Sequence, residues 1–474
     1  MQISEKTAPA LSIENAADFI TGWRREVPLL NGSSRQYVNF DNAASTPGFQ
    51  PVLDKVNEFM EWYSSIHRGT GFKSQLCSEV YDQAREVVAE FVHADPAEHA
   101  VIFVKNTTEA INKLAHRFHF KPDEVVLTSQ MEHHSNDLPW RKCAPKVEHV
   151  AVLADGQLDR ADLVQRLAKY EGKVALVALT GAANVTGWVN DVHEIAQICH
   201  EHHTPLLVDA AQLAPHRRID MKPLDDPAHI DFLAFSAHKM YAPYGSGVLI
   251  GPQEFFNNGD PDHVGGGTVT VVSLEKAVWT DAPEKEEAGT PNTVGVVALA
   301  KTILLLQEIG MEQVAEHERV LTRYALEQMR EIPGLTIYGR TDPEITENRL
   351  GVIAFNVNEM PHAQTAAILN YEGGIAVRNG CFCAHPYIKI LLGLSEEESL
   401  RLEQEMLQGD RSNLPGAVRA SFGIYNTTEE IDHFIQVLKR VAGRDYQGDY
   451  ELNRERGEYH PRGYRISYND YFRL

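Results

Sequence analysis

The sequence is poor in three features that would each indicate a class of protein. Only 5 of its 474 residues are cysteine, an odd number without repeated spacing, which argues against a disulfide framework. It has no uninterrupted apolar run of about 18 residues, and its charged first residues do not resemble a signal peptide. Basic residues number 44 against 66 acidic ones, so the net charge of −22 disfavours nucleic acid and anionic membranes as partners. We therefore expect a cytoplasmic protein that binds neither.

The middle of the chain alternates short apolar runs with segments of helical periodicity. Nearly continuous Val, Leu and Ile runs separated by helices are typical of a mainly parallel sheet covered on both faces. The sequence therefore predicts a large α/β domain over 41–300. Its strands are predicted at 100–104, 124–128, 173–180, 205–208, 231–235 and 247–250, and its helices at 107–118 and 191–203.

The remainder predicts a smaller α+β domain over 301–443, reached through long helices at 294–309 and 310–332. Residues 1–40 are expected to pack with this domain, and 444–474 form an extension without helical or strand periodicity. An insert near 385–415 has helical character over Glu396 to Leu407 and is either a lid beside the site or a surface excursion. The other elements predicted in this domain are strands at 349–357, 374–377 and 417–422 and a closing helix at 428–442.

Polar residues follow five of the predicted strands. Ligands of open α/β sheets bind outside the carboxyl ends of the strands, so these residues are candidates for a site. Each has an ordinary alternative: Asp209 could cap a helix, His133 could be a structural histidine, and Lys239 could be a solvated turn residue. Together, a lysine amine, a carboxylate and hydroxyls at a helix start suit pyridoxal phosphate, which needs a Schiff base, a partner for its ring nitrogen and a phosphate site. The strand ends carry Thr107 and Thr108, His133, Asn184, Asp209 with Gln212, and Lys239.

Ten segments resemble, in order and type, the class V aminotransferases, and most closely their cysteine desulfurase and selenocysteine lyase branch. They are FDNAASTP, HRG, NTTEAIN, MEHHSNDLPW, NVTG, VDAAQLAPH, DFLAFSAHKMYAPYGSGVLIG, AGTPNTVG, RNGCFCAHP and VRASFGIYNTTEEID, and the resemblance covers roughly residues 37–440. The resemblance implies a pyridoxal-phosphate-dependent transferase of fold type I, with a mainly parallel large domain and a smaller α+β C-terminal domain. It also implies a homodimer.

The resemblance assigns roles to individual residues. Lys239 would form the Schiff base and move protons, Asp209 would face the pyridine nitrogen, and His133 would stack on the ring as an acid or base. Gln212 and Asn184 would lie near the ring hydroxyl. The implied phosphate contacts are Thr107, Thr108, Ser236, His238 and, from the other subunit, Thr290. The implied substrate contacts are Arg419, which would pair with the carboxylate, and Arg378, Arg68, His67 and Asn42.

The motif RNGCFCA bears on the reaction type, because the desulfurase branch carries a cysteine five residues after this arginine. Here that residue is Cys383, and the hypothesis is that its thiolate takes sulfur from L-cysteine as a persulfide and leaves alanine. Cys381 would face the same side only if the loop is extended, and could then relay sulfur. A free cysteine can also be merely a small buried hydrophobe.

Several alternatives stay open at this point. A C–S β-lyase would use the same lysine, aspartate and arginine on cysteine, cystine or an S-conjugate and release pyruvate without needing Cys383. An aminotransferase or epimerase on this fold would also ignore that thiol, and a non-enzymatic scaffold is a further possibility. The CFC form resembles sulfurases of the molybdenum cofactor, so neither the cysteine-like substrate nor a sulfur-acceptor protein is specified.

Overall fold

A computed structural model describes residues 10–67 and 69–474. The helices of the described chain are α1 Gln50–Met60, α2 Phe72–Phe91, α3 Thr107–Arg117, α4 Leu138–Cys143, α5 Arg160–Lys169, α6 Val192–Glu201, α7 Gln253–Asn257, α8 Thr293–Ile309, α9 Met311–Arg330, α10 His362–Gly373, α11 His385–Leu391, α12 Glu396–Leu407 and α13 Thr428–Ala442. The strands are β1 Glu26–Pro28, β2 Ser34–Gln36, β3 Val38–Asn39, β4 His99–Val104, β5 Val125–Ser129, β6 Val147–Val150, β7 Val174–Thr180, β8 Leu206–Asp209, β9 Phe232–Ser236, β10 Gly247–Pro252, β11 Val269–Val272, β12 Ala277–Trp279, β13 Leu335–Ile337, β14 Val352–Val357, β15 Ile375–Ala376, β16 Arg378–Gly380, β17 Ala417–Ser421, β18 Tyr450–Asn453 and β19 Glu458–Pro461.

The main sheet has seven strands in the order β4-β10-β9-β8-β7-β5-β6. Strand β10 runs antiparallel to both neighbours, and the other pairings are parallel. Both faces are buried: Leu233 and Phe235 of β9 enter one apolar core, whereas Phe232 and Ala234 enter the core on the other face. Burial on both sides explains the continuous apolar runs, and it confirms the predicted fold class.

A second, four-stranded antiparallel sheet follows in the order β13-β14-β17-β16. It packs with α9, α10 and α13 around a separate apolar core that includes Phe355 and Phe434. The N-terminal part of the chain reaches this region through the parallel pair β3 and β15, in which Val38 opposes Ile375. Just after β3, residues 40–43 contact the end of β17: Asp41 and Ser421 form a β-bridge, and the Ala43 N–H donates to Ser421 Oγ.

The predicted strands and helices of the main sheet lie within two residues of the observed ones. Strand β6 at its edge was not predicted, because Glu148 and His149 interrupt its apolar character. Glu396–Leu407 is a helix as expected, and a capping box of Ser395 and Glu398 starts it. Within the described residues no single helix is both long and apolar enough to cross a membrane. Helices α8 and α9 taken together meet these criteria of length and composition, but the pair is bent by 75°.

The C-terminal extension contains structure that its sequence did not predict. Strands β18 and β19 form a hairpin beside α10, and Glu372 of α10 accepts hydrogen bonds from the Gln447 and Gly448 N–H groups. The hairpin turn contacts the end of the insert, where the Arg411 N–H donates to the Arg454 carbonyl at 3.0 Å. The extension therefore closes over the segment that follows α12.

Candidate active site

A cavity of about 430 Å³ opens at the carboxyl ends of the parallel strands. It collects twelve of the residues predicted from the sequence, nine of them in or just after the strands of the main sheet and three, Arg378, Cys383 and Arg419, from the second sheet and its loop. They are Thr107, Thr108, His133, Asn184, Asp209, Gln212, Ser236, His238, Lys239, Arg378, Cys383 and Arg419. Parallel strands end at the same edge of the main sheet, which explains the meeting of the strand-end residues, and the contact of β17 with residues 41–43 brings in the residues of the second sheet.

Lys239 sits in a short 3-10 helix, Ala237–Lys239, directly after β9. Burial lowers the pKa of its amine to about 8; the negative charge of Asp209 opposes this shift and the positive charge of Arg419 adds to it. The Asp209 carboxylate ends β8 and accepts a hydrogen bond from the Ala211 N–H at 2.9 Å, while burial raises its pKa. The site therefore offers an amine that is easily deprotonated and a buried carboxyl in the same cavity.

The N-terminus of α3 is the candidate phosphate site. Asn106 caps the helix by accepting from the Glu109 N–H at 3.0 Å, and Thr107 Oγ1 lies 2.7 Å from Ser236 Oγ. Gly247 of β10 lets the strand approach closely here, because a Cβ at this position would lie 2.7 Å from Asn106 Cα. The hydroxyls of Thr107, Thr108 and Ser236 lie at the positive end of the dipole of an eleven-residue helix, a position that is suited to an anion.

His133 is oriented by its neighbours. Its Nδ1 accepts from the Ser135 N–H at 3.1 Å, and Ser135 Oγ is 2.7 Å from Thr108 Oγ1. Since Nδ1 is the acceptor, the neutral ring carries its proton on Nε2. Burial, together with the charge of Lys239, lowers the pKa of His133 to about 3, so the ring is neutral at physiological pH.

Two arginines face each other on neighbouring strands, Arg419 on β17 and Arg378 on β16. Asp41 bridges them, with Oδ1 3.3 Å from Arg419 Nη2 and Oδ2 3.1 Å from Arg378 Nη2. Arg419 is buried, donates to the Asn184 carbonyl at 2.9 Å and lies 4.9 Å from the ring centre of Phe382. Burial lowers its pKa to about 10, so its guanidinium stays charged and is suited to a substrate carboxylate.

Cys383 is exposed at the cavity, on a loop with unusual backbone geometry. Phe382 and Cys383 both have left-handed φ angles, 52° and 53°, which cost non-glycine residues energy. Two hydrogen bonds hold this turn: Asn184 Nδ2 donates to the Phe382 carbonyl at 2.8 Å, and the His134 N–H donates to the Cys383 carbonyl at 2.7 Å. Contacts from the main sheet thus fix the position of the thiol.

The loop is not extended, so the condition under which Cys381 and Cys383 would face the same way is not met. Cys381 is half-buried, its thiol donates to the Pro415 carbonyl at 2.8 Å, and burial raises its pKa to about 11. It lines a second cavity of about 600 Å³ between α4 and the insert, which we call the insert cavity. Among the described residues, none of 385–415 lines the cavity that holds Lys239, and the insert lines the neighbouring insert cavity instead.

Three predicted residues do not reach the Lys239 cavity. Asn42 is buried, and its amide bonds to the Ser421 carbonyl at 3.0 Å and to the Tyr425 hydroxyl at 2.7 Å. His67 is exposed and rests against the Tyr81 ring, and Thr290 is exposed. Arg68 lies outside the described residues.

Other residues of the site received no individual role from the sequence. Asn106 and Ser135 stand inside the quoted motifs, and their positions beside helix starts were the available signal. Asp41 and Phe382 have no position beside a helix start that would indicate a role, because each lies at the site through its contact with Arg419, which is distant in the sequence.

The donor set fits pyridoxal phosphate. The buried Gln212 Oε1 has no hydrogen-bond partner in the part of the chain that the structure describes, although Nε2 of the same amide donates to Ala43. An amine at a strand end, a buried carboxylate and an anion site in one cavity define a pyridoxal-phosphate-dependent enzyme of fold type I.

The chain belongs to the aminotransferase class-V family, whose model matches residues 38–434. It is 34% identical over 428 residues to a probable cysteine desulfurase of Halalkalibacterium halodurans, covering 88% of this chain and 95% of that protein. It is 36% identical over 430 residues to one of Staphylococcus aureus, with the same coverage. The apo structure of a cysteine desulfurase from Thermococcus onnurineus superposes with a TM-score of 0.78 at 30% identity, covering 92% of this chain and all of that one.

Proposed function

We propose that this enzyme is a cysteine desulfurase, or a selenocysteine lyase, that converts L-cysteine to L-alanine and takes the sulfur on Cys383 as a persulfide. The observation that carries this proposal is the placement of an exposed thiol in the cavity that also holds Lys239 and Arg419. The similarity to proteins named cysteine desulfurases supports it.

Pyridoxal phosphate, when bound, supplies the electron withdrawal that makes the bonds at the substrate Cα and Cβ labile. Lys239 would hold the cofactor, and Asp209 would keep its ring nitrogen protonated. The phosphate would be bound by Thr107, Thr108, Ser236 and His238, with Thr290 contributed by the other subunit. Gln212 and Asn184 would lie at the ring hydroxyl.

The protein's side chains would then orient the substrate. Arg419 would bind its carboxylate in a bidentate pair, and the exposed Arg378 would assist at the mouth. The Lys239 amine, once released from the cofactor, would take the proton from Cα, since a pKa of about 8 makes the neutral form accessible. His133, with its proton on Nε2, would donate a hydrogen bond from that atom.

In the sulfur-transfer step the Cys383 thiolate attacks the substrate sulfur. The bond between Cβ and sulfur breaks, the sulfur stays on Cys383 as a persulfide, and the carbon fragment gains protons and leaves as alanine. The overall change needs no external oxidant, because both electrons of the broken bond go to the carbon fragment.

We further propose that the active unit is a homodimer in a reducing, cytoplasmic setting. The exposed Thr290, away from its own cavity, and the exposed apolar side chains of Val272 and Leu274 in the β11–β12 region support the dimer. The five cysteines are free thiols, which suits a reducing compartment. The exposed position of Cys383 suits delivery to a sulfur-acceptor protein.

The test compares products. The cofactor-loaded enzyme is incubated with L-cysteine and a reductant, and alanine and pyruvate are quantified together. Alanine with sulfide is expected from the wild type, and Cys383→Ser should lose this activity while keeping the absorbance of the bound cofactor. Cys381→Ser, whose thiol faces the insert cavity, is the matched control and should keep alanine formation. Pyruvate as the main product, with undiminished turnover in Cys383→Ser, would instead identify a C–S β-lyase.

A further inference from the structure

A cluster of two histidines and an aspartate lies away from the active site. His200 is in the last turn of α6, whereas His229 and Asp231 lie in the segment that leads into β9. Lys239 follows the opposite end of β9, so the cluster sits at the far edge of the main sheet. None of its three residues lines the Lys239 cavity, and the proposed function does not use them.

The donor atoms of the cluster are close together. His200 Nε2 is 2.9 Å from Asp231 Oδ2, and His229 Nε2 is 3.3 Å from Asp231 Oδ1. One donor atom from each residue lies within 4.8 Å of the others. The two rings stack with centroids 4.1 Å apart, and the three side chains keep 13–18% of their surface exposed, so an ion could enter from solvent.

The main chain fixes the proton on each imidazole. His200 Nδ1 lies 2.7 Å from the Pro227 carbonyl oxygen, and His229 Nδ1 lies 2.6 Å from the Asp226 carbonyl oxygen. A carbonyl only accepts hydrogen bonds, so both Nδ1 atoms donate, and each neutral ring has its lone pair on Nε2. If both rings are neutral, their lone pairs face a carboxylate that also only accepts, so either a proton on each ring or a metal cation must lie between them.

This pattern matches the support that metal-binding histidines receive. Such histidines usually donate their second ring nitrogen to a carbonyl or carboxylate, which sets the tautomer and the ring orientation. Asp231 is itself held in place, because the Leu206 N–H donates to its Oδ2 at 2.8 Å. The separations of 2.9 and 3.3 Å approach the ~3.3 Å between neighbouring ligands of a tetrahedral ion with bonds of about 2.0–2.1 Å.

We propose that His200, His229 and Asp231 bind one divalent transition-metal ion of the zinc type, with water completing its coordination. Two imidazole ligands favour such an ion over Mg²⁺ or Ca²⁺, which prefer oxygen ligands. The ion would join α6 to the segment before β9 and brace this edge of the sheet, without taking part in sulfur transfer.

The experiment uses the untagged, cofactor-loaded enzyme after metal removal, titrated with Zn²⁺ by calorimetry. Wild type should bind one Zn²⁺ that His200→Ala and His229→Ala lose or bind at least ~100-fold more weakly. His193→Ala is the matched control: His193 Nδ1 bonds to the Ala228 carbonyl of the same loop at 2.8 Å but is not a proposed ligand, so Zn²⁺ binding should be unchanged. Mg²⁺ should not compete. Zn²⁺ held by cysteine thiols would be bound equally by every variant, so it does not change the difference in stoichiometry between wild type and the histidine variants.

A second measurement keeps the test independent of folding defects. Asp231→Asn retains an oxygen for the Leu206 N–H but lowers the charge of the site, so Zn²⁺ should bind more weakly while circular dichroism and cofactor absorbance stay the same. X-ray absorption of the Zn²⁺-loaded wild type should show two imidazole ligands. Equal Zn²⁺ stoichiometry and affinity in wild type and both histidine variants would show that the ion binds elsewhere, and that result, or no binding to wild type, would overturn the proposal.

Discussion

The pH dependence of cofactor incorporation tests the electrostatics of Lys239 directly. An amine attacks an aldehyde only in its neutral form, so the rate at which the apoenzyme takes up pyridoxal phosphate covalently should follow the deprotonation of Lys239. Burial lowers the pKa of this amine from 10.5 to about 8. The rate should therefore rise with pH and level off above about pH 8.

The size of the effect follows from the shift. At about pH 7, roughly 10% of an amine with a pKa of about 8 is neutral, against about 0.03% of an ordinary lysine, a difference of ~300-fold. Two variants should move the midpoint in opposite directions. Arg419→Met removes a positive charge and raises the pKa of Lys239, whereas Asp209→Asn removes a negative charge and lowers it further.

The assay mixes apoenzyme with limiting pyridoxal phosphate across the pH range and follows the absorbance of the bound cofactor. Lys239→Ala is the control and should lack the pH-dependent phase. A midpoint near the ordinary lysine value of 10.5, or a shift of both variants in the same direction, would refute the explanation.

Three further predictions concern substrate binding, packing and the insert. Arg419→Lys should lower kcat/KM for cysteine by about 10–150-fold, because it loses a bidentate contact of about 1.5–3 kcal/mol. Arg378→Lys should lower kcat/KM less, because the Arg378 side chain is 51% exposed. Equal losses for the two variants in steady-state kinetics would contradict this prediction. Gly247→Ala should lower the free energy of unfolding in urea by about 1–3 kcal/mol and weaken cofactor binding. Gly266→Ala is the control and should change neither quantity, because a Cβ at that position would meet no atom within 4 Å. Ser395→Ala should lower the stability of α12 by about 1 kcal/mol, because it removes the N-cap hydrogen bond. Amide hydrogen exchange should become faster in that helix alone, and unchanged exchange would show that the cap is dispensable.

The main sheet was predictable because its strands are buried on both faces. Runs such as Leu233 to Phe235 must then be apolar throughout, and this pattern appears in any single sequence. The strand-end residues were predictable for a related reason, since chain order and parallel pairing alone bring Asp209 and Lys239 to one edge.

What was missed depends on contacts between distant segments. Strands β18 and β19 are short, half-exposed and held by Glu372, which lies more than seventy residues earlier. The left-handed turn at Phe382 and Cys383 has no signal in residue type, because it is imposed by bonds from His134 and Asn184. Sequence periodicity reports local burial, and it contains no record of such partners.

The hairpin of β18 and β19 also has a consequence for the order of biosynthesis. The ribosome makes the segment after α12 before its partner, Arg454, so the contact from Arg411 forms only after the hairpin has been synthesised. Pro415, which accepts the hydrogen bond from the Cys381 thiol, belongs to the same segment. The segment beside the cysteine loop therefore gains this contact later than it gains its bond to Cys381, and a chain cut short after Gly443 would lack the contact altogether.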